Sequence, residues 1–149
     1  MINIATTPEA LQIAANILLA KAYVQPCGDL RALFWVNKSN EIEWVIGYTA
    51  FIGKTCQMHV VNLTEHTTPR NLIFAAFDFP FNYLGIEKVF GVVNSNNERA
   101  MKYDQKLGFK EVQRFEGMHD DGGDIVLFGM DKADCRWIAE YKDEIKLVA

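Results

Sequence analysis

The chain has 149 residues, of which 50% are hydrophobic and 12% are aromatic, and its formal net charge at pH 7 is −4. This length is typical of one domain, and so much apolar material excludes disorder as the main state. The negative charge excludes the broad basic surface with which general nucleic-acid binders hold phosphates. We therefore expect a single domain over residues 1–149.

The cysteines and the apolar runs indicate a cytoplasmic protein without a membrane partner. Cys27, Cys56 and Cys135 are odd in number and lack metal-ligand spacing, so we expect reduced, mostly buried thiols and no metal site. No basic stretch followed by an apolar run opens the chain, as a signal peptide would. The apolar runs are shorter than the ~20 residues that span a bilayer.

The first half of the chain predicts one helix followed by three strands. Apolar residues at helical spacing predict a helix over Pro8–Ala22, with Thr7 as its N-cap. Strands are predicted over 32–37, 42–52 and 55–63, where β-branched and aromatic residues are frequent. Because short polar turns join them, these strands should form an antiparallel meander.

The next segments predict a helix, a buried strand and a second helix. Thr68 is the expected cap and Pro69 the expected first residue of a helix that ends near Gly85, with a kink or break at Pro80. A strand over 88–93 lies between two helices, which predicts a parallel crossover.

After this strand, the polar bend at residues 94–97 can cap a further helix, and Ser95 and Glu98 in it have capping-box spacing. That helix is predicted to run to Leu107 and to end at Gly108. Strands over 110–116 and 124–131 should flank an acidic hairpin. Asp131 is the expected cap of a last helix. That helix should pack four residues inward: Trp137, Ile138, Tyr141 and Ile145.

The predicted fold class is therefore α/β (α+β), with a mixed, mostly antiparallel sheet flanked by helices and one parallel βαβ crossover. Within this pattern, residues 97–109 read NERAMKYDQKLGF. This segment resembles the GNAT N-acetyltransferase pattern of Asn, then Ala or Ser at the third following position, then Gly-Phe eight and nine residues later. The resemblance covers about residues 55–137.

The resemblance is nearest to the subgroup that acetylates the N-termini of ribosomal proteins. That subgroup has a phrase similar to FNYLGIEKVFGVV before the motif and a D-x-x-x-x-G-M strand after it, which 124–130 matches. The ending, with Met-Asp-Lys followed by Asp-Cys-Arg-Trp, is similar to a branch carried by phages and bacteria.

The resemblance implies a GNAT fold that transfers acetyl from acetyl-CoA to a primary amine by direct attack. In such folds two parallel strands separate, the pantetheine arm pairs with the edge of the first, and the next helix N-terminus faces the pyrophosphate. A backbone donor near Val60 or Val61 would polarise the thioester carbonyl. The implied cofactor-binding residues are Val60, Val61, Asn62, Thr67, Thr68, Arg70, Asn71 and Asn97.

The loop before that helix departs from the family pattern. Members usually have a Gly-rich pyrophosphate loop, whereas residues 65–71 read EHTTPRN. Two threonine hydroxyls, Arg70 and the helix N-terminus could still bind the anion, although Glu65 would repel it if it pointed inward. The alternative is a GNAT-like structural or interaction protein that has lost coenzyme A and is catalytically inactive.

The candidate catalytic residues are His59 and Tyr103. Many members place a Tyr acid four residues after the motif Ala, where this chain has Asp104, with Tyr103 beside it. Tyr103 either reaches the thiol or simply packs. His59 is the candidate base, directly or through water, or else a surface or core histidine. If Val60 and Asn62 line the cleft, strand alternation turns His59 away from it.

Asp120 and Asp124 are the candidate acceptor-binding residues. They lie in the acidic hairpin and would attract a cationic amine, or they would simply form a solvated turn. The expected acceptor is an amine of a small molecule or of a protein N-terminus, and a homodimer is the expected assembly. A modifier of nucleic-acid bases on the same fold is disfavoured by the acidic charge.

Overall fold

A computed structural model describes residues 1–25 and 28–140. One seven-stranded sheet has the order β1-β2-β3-β4-β5-β7-β6, and all neighbours are antiparallel except the parallel pair β4 and β5. The predicted fold class is thereby confirmed. The strands are β1 Ile2–Ile4, β2 Arg31–Val36, β3 Ile42–Ile52, β4 Thr55–Asn62, β5 Lys88–Asn94, β6 Lys110–Phe115 and β7 Ile125–Asp131. The helices are α1 Pro8–Ala22, α2 Arg70–Asp78, α3 Glu98–Leu107 and α4 Arg136–Glu140, with a π-helical turn at Phe79–Tyr83 and a 3₁₀ turn at Lys132–Asp134.

Helix α1 begins as predicted, since the Thr7 side chain accepts a hydrogen bond from the backbone N–H of Ala10. The helix packs closely on the sheet at Gly47, where a Cβ would lie 2.5 Å from Cδ1 of the buried Leu18. The three-residue strand β1 was not predicted, because so short a segment carries no periodic signal.

Helix α2 does not begin at the predicted cap. Pro69 occupies the N-cap position, no side chain caps the helix, and the Thr68 hydroxyl instead bonds the hydroxyl of Tyr103. The predicted break at Pro80 is confirmed: the α-helix ends at Asp78 and continues as the π-helical turn. A proline there lacks the N–H that an α-helical turn requires.

The predicted polar bend at residues 94–97 caps α3, but neither Ser95 nor Asp131 is a cap. Asn97, rather than Ser95, caps α3 by accepting from the N–H of Ala100, while Ser95 Oγ accepts from the N–H of Asp124. Asp131 makes no capping bond and precedes the 3₁₀ turn. Trp137 and Ile138 pack against the core as expected, whereas Tyr141 and Ile145 lie outside the described residues.

The sheet buries side chains on both faces. The larger cluster lies under α2 and includes Ile46, Met58 and Leu72, and the smaller lies under α1 and includes Val45 and Val61. Cys56 and Cys135 are buried free thiols, while Cys27 lies outside the described residues. No helix in the described part of the chain is long and apolar enough to cross a membrane.

Candidate functional site

The parallel strands β4 and β5 pair over three residues only. Their ladder joins Thr55–Gln57 of β4 to residues 88–90 of β5, although β4 continues to Asn62 and β5 to Asn94. We call the unpaired stretch, residues 58–62 of β4 and 91–94 of β5, the strand gap. Its β4 side is an open backbone edge, to which an extended ligand can hydrogen-bond.

The register of β4 on β3 determines which backbone groups face the strand gap. The N–H of Leu63 bonds the carbonyl of Glu43, and Val61 pairs with Val45 in the same register. In an antiparallel ladder, alternate residues direct their N–H and C=O groups to opposite edges. The backbone groups of Val60 therefore face the gap, whereas those of Val61 face β3.

A narrow apolar cleft lies beside the strand gap on the α2 face of the sheet. Val60 lines it together with Leu72 and Ile73 of α2, and Tyr103 of α3 closes one side next to Thr68. The Val60 side chain is 36% exposed, so it meets solvent although its neighbour Val61 is buried under α1. These side chains form an apolar wall beside the open edge of β4.

The N-terminus of α2 lies next to this cleft without a side-chain cap. Arg70 and Asn71, both exposed, are its first two residues, where backbone donors and the helix dipole favour an anion. Asn62 fixes the loop between β4 and α2: its side chain donates to the His66 carbonyl and accepts from the N–H of Thr64.

The loop has a backbone that does not require glycine. No residue between Lys54 and Leu84 has a positive φ, so each adopts a conformation open to ordinary L-residues. The missing glycines therefore impose no strain on this loop. Thr67 and Glu65 are both exposed there, and neither side chain makes a hydrogen bond or ion pair within the described residues.

His59 lies on the opposite face of β4 from Val60. Its Nε2 is 2.7 Å from Oγ1 of Thr49 on β3, and burial lowers the pKa of His59 to about 4. The imidazole is therefore neutral at pH 7. Because Val60 faces the cleft, His59 does not share that cleft with Tyr103, and the two residues lie on opposite sides of the sheet.

Tyr103 and Asp104 approach the strand gap from α3. The Tyr103 hydroxyl is 2.7 Å from Oγ1 of Thr68, and burial raises the pKa of the phenol. The Asp104 carboxyl is half-buried, and burial raises its pKa to about 7. Asp104 thus differs from Asp121 and Asp124 of the hairpin, whose pKa values are lowered, because desolvation favours the protonated form of Asp104.

The acidic hairpin is held together by its own carboxylates. Asp124 accepts from Arg114 Nη1 at 2.9 Å and from the N–H of Gly117, which lowers the pKa of Asp124. Asp121 accepts from Asn94 Nδ2 at 2.6 Å and ties the hairpin to the end of β5. Asp120 is exposed and makes no side-chain hydrogen bond or ion pair within the described residues.

The fold places most of the predicted cofactor-binding residues beside the strand gap, with Val60 and Asn62 on β4 and the others in the loop before α2 and its first turn. Val61 does not belong to this set, because its backbone groups face β3 and its side chain is buried under α1. Asn97 caps α3, so its side-chain oxygen is already occupied by the N–H of Ala100. Sequence reasoning missed Thr49 as the partner of His59, since a threonine in an apolar strand carries no such signal. It also missed Asp121 as the link to β5.

Comparison with solved structures identifies the architecture. The chain aligns with a spermidine N-acetyltransferase from Vibrio cholerae in complex with CoA and spermine at a TM-score of 0.69 and 14% identity, covering 89% of this chain and 96% of that one. A dodecameric structure of spermidine N-acetyltransferase from Vibrio cholerae aligns at 0.70 and 13% identity, covering 97% and 98%. The chain has the GNAT fold. No protein-family model and no curated protein sequence matches it.

Proposed function

We propose that this protein is an N-acetyltransferase that transfers acetyl from acetyl-CoA to a primary amine by direct attack. The observation that carries the proposal is the strand gap, where two parallel strands separate beside the uncapped N-terminus of α2. The fold shared with CoA-using spermidine N-acetyltransferases supports it.

The residues around the gap fit coenzyme A. The Val60 backbone supplies open donors and acceptors for an extended amide-containing arm, and the cleft supplies an apolar wall. The start of α2, with Arg70, Asn71 and the Thr67 hydroxyl, offers charge-assisted and dipolar contacts to a pyrophosphate. When bound, acetyl-CoA supplies an activated acyl group whose carbonyl carbon accepts the amine.

The two candidate catalytic residues lie on opposite faces of the sheet. Tyr103 lies on the α2 face with the cleft, and His59 lies on the α1 face. We therefore assign the amine proton to water rather than to His59, which points away from the cleft and whose pKa of about 4 makes it a weak base, and the N–H of Val60 to the acyl oxygen.

The acceptor is proposed to be a cationic amine. The net charge of −4 and the exposed Asp120 in the hairpin favour its approach. The spermidine N-acetyltransferase neighbours support a polyamine, and the resemblance to ribosomal-protein acetyltransferases supports a protein N-terminal amine. Incubation with acetyl-CoA and either spermidine or a peptide with a free N-terminus, followed by mass spectrometry, separates these two classes.

Coenzyme A binding tests the proposal against the inactive alternative. Coenzyme A at a hundredfold excess over its Kd should stabilise the fold by about 2.7 kcal/mol. Arg70→Ala should weaken the affinity about tenfold through loss of charge-assisted contacts, whereas Arg31→Ala, at an exposed side chain of the otherwise buried β2, should leave it unchanged. Titration calorimetry without heat at millimolar coenzyme A would instead support a structural protein.

Two further expectations accompany this function. A cytoplasmic location is proposed, and the buried free thiols Cys56 and Cys135 suit such a reducing compartment. A homodimer is proposed as the assembly, and a dodecamer is the form of one neighbour. Light scattering on the purified chain measures the assembly directly.

A further inference from the structure

A second cavity lies at the end of the sheet where β5 and β6 begin and β7 ends. Its volume is about 190 Å³, which is the space of about six water molecules at ~30 Å³ each. Four charged and two apolar side chains line it: Lys88, Lys110, Asp131, Asp134, Val112 and Met130. The strand gap lies at the other end of β5, so this cavity is separate from the proposed site of acetyl transfer.

Gly129 of β7 forms the floor of this cavity. It pairs with Lys110 on β6 and with Phe90 on β5, so these residues share one face of the sheet. Lys88, two residues before Phe90, points to the same side. Because Val89 is buried under α2, this is the face on which α1 packs against β2, β3 and β4. The floor of the cavity thus belongs to the half of that face beyond α1.

The absence of a side chain at Gly129 allows Lys88 and Val112 to lie close to the backbone. A Cβ at Gly129 would lie 2.8 Å from Cγ2 of Val112 and 3.1 Å from Cε of Lys88. The Lys88 ammonium is 3.4 Å from Oδ1 of Asp131 and 5.7 Å from the centre of the Phe90 ring. Lys88 and Asp131 therefore form an ion pair at one side of the cavity.

The other two charged side chains of the lining lack such a pair. Neither Lys110 nor Asp134 makes a side-chain hydrogen bond or an ion pair within residues 1–25 and 28–140. Both are exposed and both line the cavity, which has an apolar wall of Val112 and Met130. The cavity therefore offers one ammonium group and one carboxylate to a ligand, next to an apolar surface.

We propose that this cavity binds a free α-amino acid with a small aliphatic side chain. The carboxylate of the ligand contacts the Lys110 ammonium, its own ammonium contacts the Asp134 carboxylate, and its side chain lies against Val112 and Met130. A simple anion would meet two carboxylates in the lining, and a simple cation would meet two ammonium groups. The lining thus selects a molecule that carries both charges. This inference goes beyond the proposed acetyltransferase activity and does not depend on it.

A series of three related ligands tests this recognition. In ¹H–¹⁵N spectra of the full chain, the amides of Gly129 and Val112 should shift with L-valine and saturate with a Kd of about 1 mM, as expected for so small a ligand. Isobutylamine lacks the carboxylate and N-acetyl-L-valine lacks the ammonium group, so each should bind about threefold or more weakly. No shift of these amides at about 10 mM L-valine, or equal affinity for all three compounds, would overturn the proposal.

Two variants assign each charge of the ligand to its side chain. Lys110→Met should weaken L-valine about threefold or more and leave isobutylamine unchanged, because that compound has no carboxylate to lose. Asp134→Asn should weaken L-valine and leave N-acetyl-L-valine unchanged. Lys38→Met, at an exposed side chain in the turn between β2 and β3, is the matched control and should bind as the wild type does. An equal loss for all three ligands in either cavity variant would contradict recognition by charge.

Coenzyme A titration separates this proposal from the acetyltransferase function. Lys110→Met should retain the coenzyme A affinity of the wild type, because no residue lines both the cavity and the cleft beside the strand gap. Loss of coenzyme A binding in this variant would overturn the cavity as a separate site. Shifts with L-valine in a wild-type chain that does not bind coenzyme A would support the cavity and defeat the proposed function.

Discussion

The hydroxyl of Tyr103 and Oγ1 of Thr68 lie 2.7 Å apart and join α3 to the loop that precedes α2. This bond removes Thr68 from the capping role that its sequence position predicts. It leaves the N-terminus of α2 without a side-chain cap, beside the strand gap. One contact between distant segments thus shapes two parts of the candidate site.

Removal of this bond should loosen the loop. Tyr103→Phe and Thr68→Val should each lower the free energy of unfolding by about 1 kcal/mol, because each leaves one partner without its bond. The double variant should cost less than the sum, and urea unfolding of all four proteins measures the coupling. Additive effects would mean that the two hydroxyls do not interact.

His59 should make stability depend on acid pH. Its pKa of about 4 in the folded chain lies below the ~6.5 of an unfolded histidine, so the unfolded state binds more protons between these values. The contribution is present in full above pH 6.5 and is lost as pH falls toward 4, by up to about 3 kcal/mol.

Urea unfolding at pH 7 and pH 5 measures this loss. His59→Gln should reduce the difference between the two pH values, whereas His66→Gln, at an exposed side chain, should retain it. Since His59 is neutral above pH 5, the acetylation rate should show no ionisation step of His59 between pH 6 and 8. An equal loss of stability in both variants would argue against the buried position of His59.

Gly123 should tolerate no side chain. A Cβ there would overlap Asn94 Oδ1 and lie 2.8 Å from Asn96 Nδ2, the two residues that bond Asp121. Gly123→Ala should therefore destabilise the chain by about 1–3 kcal/mol through forced displacement of this cluster. Gly28→Ala is the matched control because a Cβ there meets no atom within 4 Å. Thermal unfolding compares the two, and equal midpoints would contradict the overlap.

Substitutions of Asp120 and Asp124 in the hairpin should have different effects, one on acceptor binding and the other on stability. Asp124→Asn should weaken the ion pair with Arg114 and lower the melting temperature, because its oxygens already serve the hairpin. Asp120→Asn should leave the melting temperature unchanged and raise KM for a cationic amine, with kcat retained. An unchanged KM in Asp120→Asn would remove Asp120 from the acceptor site.

The order of the main elements followed from local patterns in the sequence. Helix α1 and strand β3 have the predicted bounds, since alternation and helical spacing are properties of a few neighbouring residues. Gly108 ends α3 at φ 108° as predicted, because a left-handed residue favours glycine. The parallel pairing of β4 and β5 follows the predicted βαβ crossover, and the motif at 97–109 indicated the GNAT fold.

Tertiary structure alone decided the roles of several polar side chains. Thr68 and Ser95 each have a local capping role that sequence suggests, and each instead bonds a residue 35 and 29 positions away, respectively. A hydrogen bond forms with whichever partner packing brings within reach, and local spacing does not reveal that partner. The faces of β4 were settled in the same way: pairing with β3 turned Val60 toward the cleft and His59 toward Thr49, and burial then lowered the pKa of His59 while raising that of Asp104.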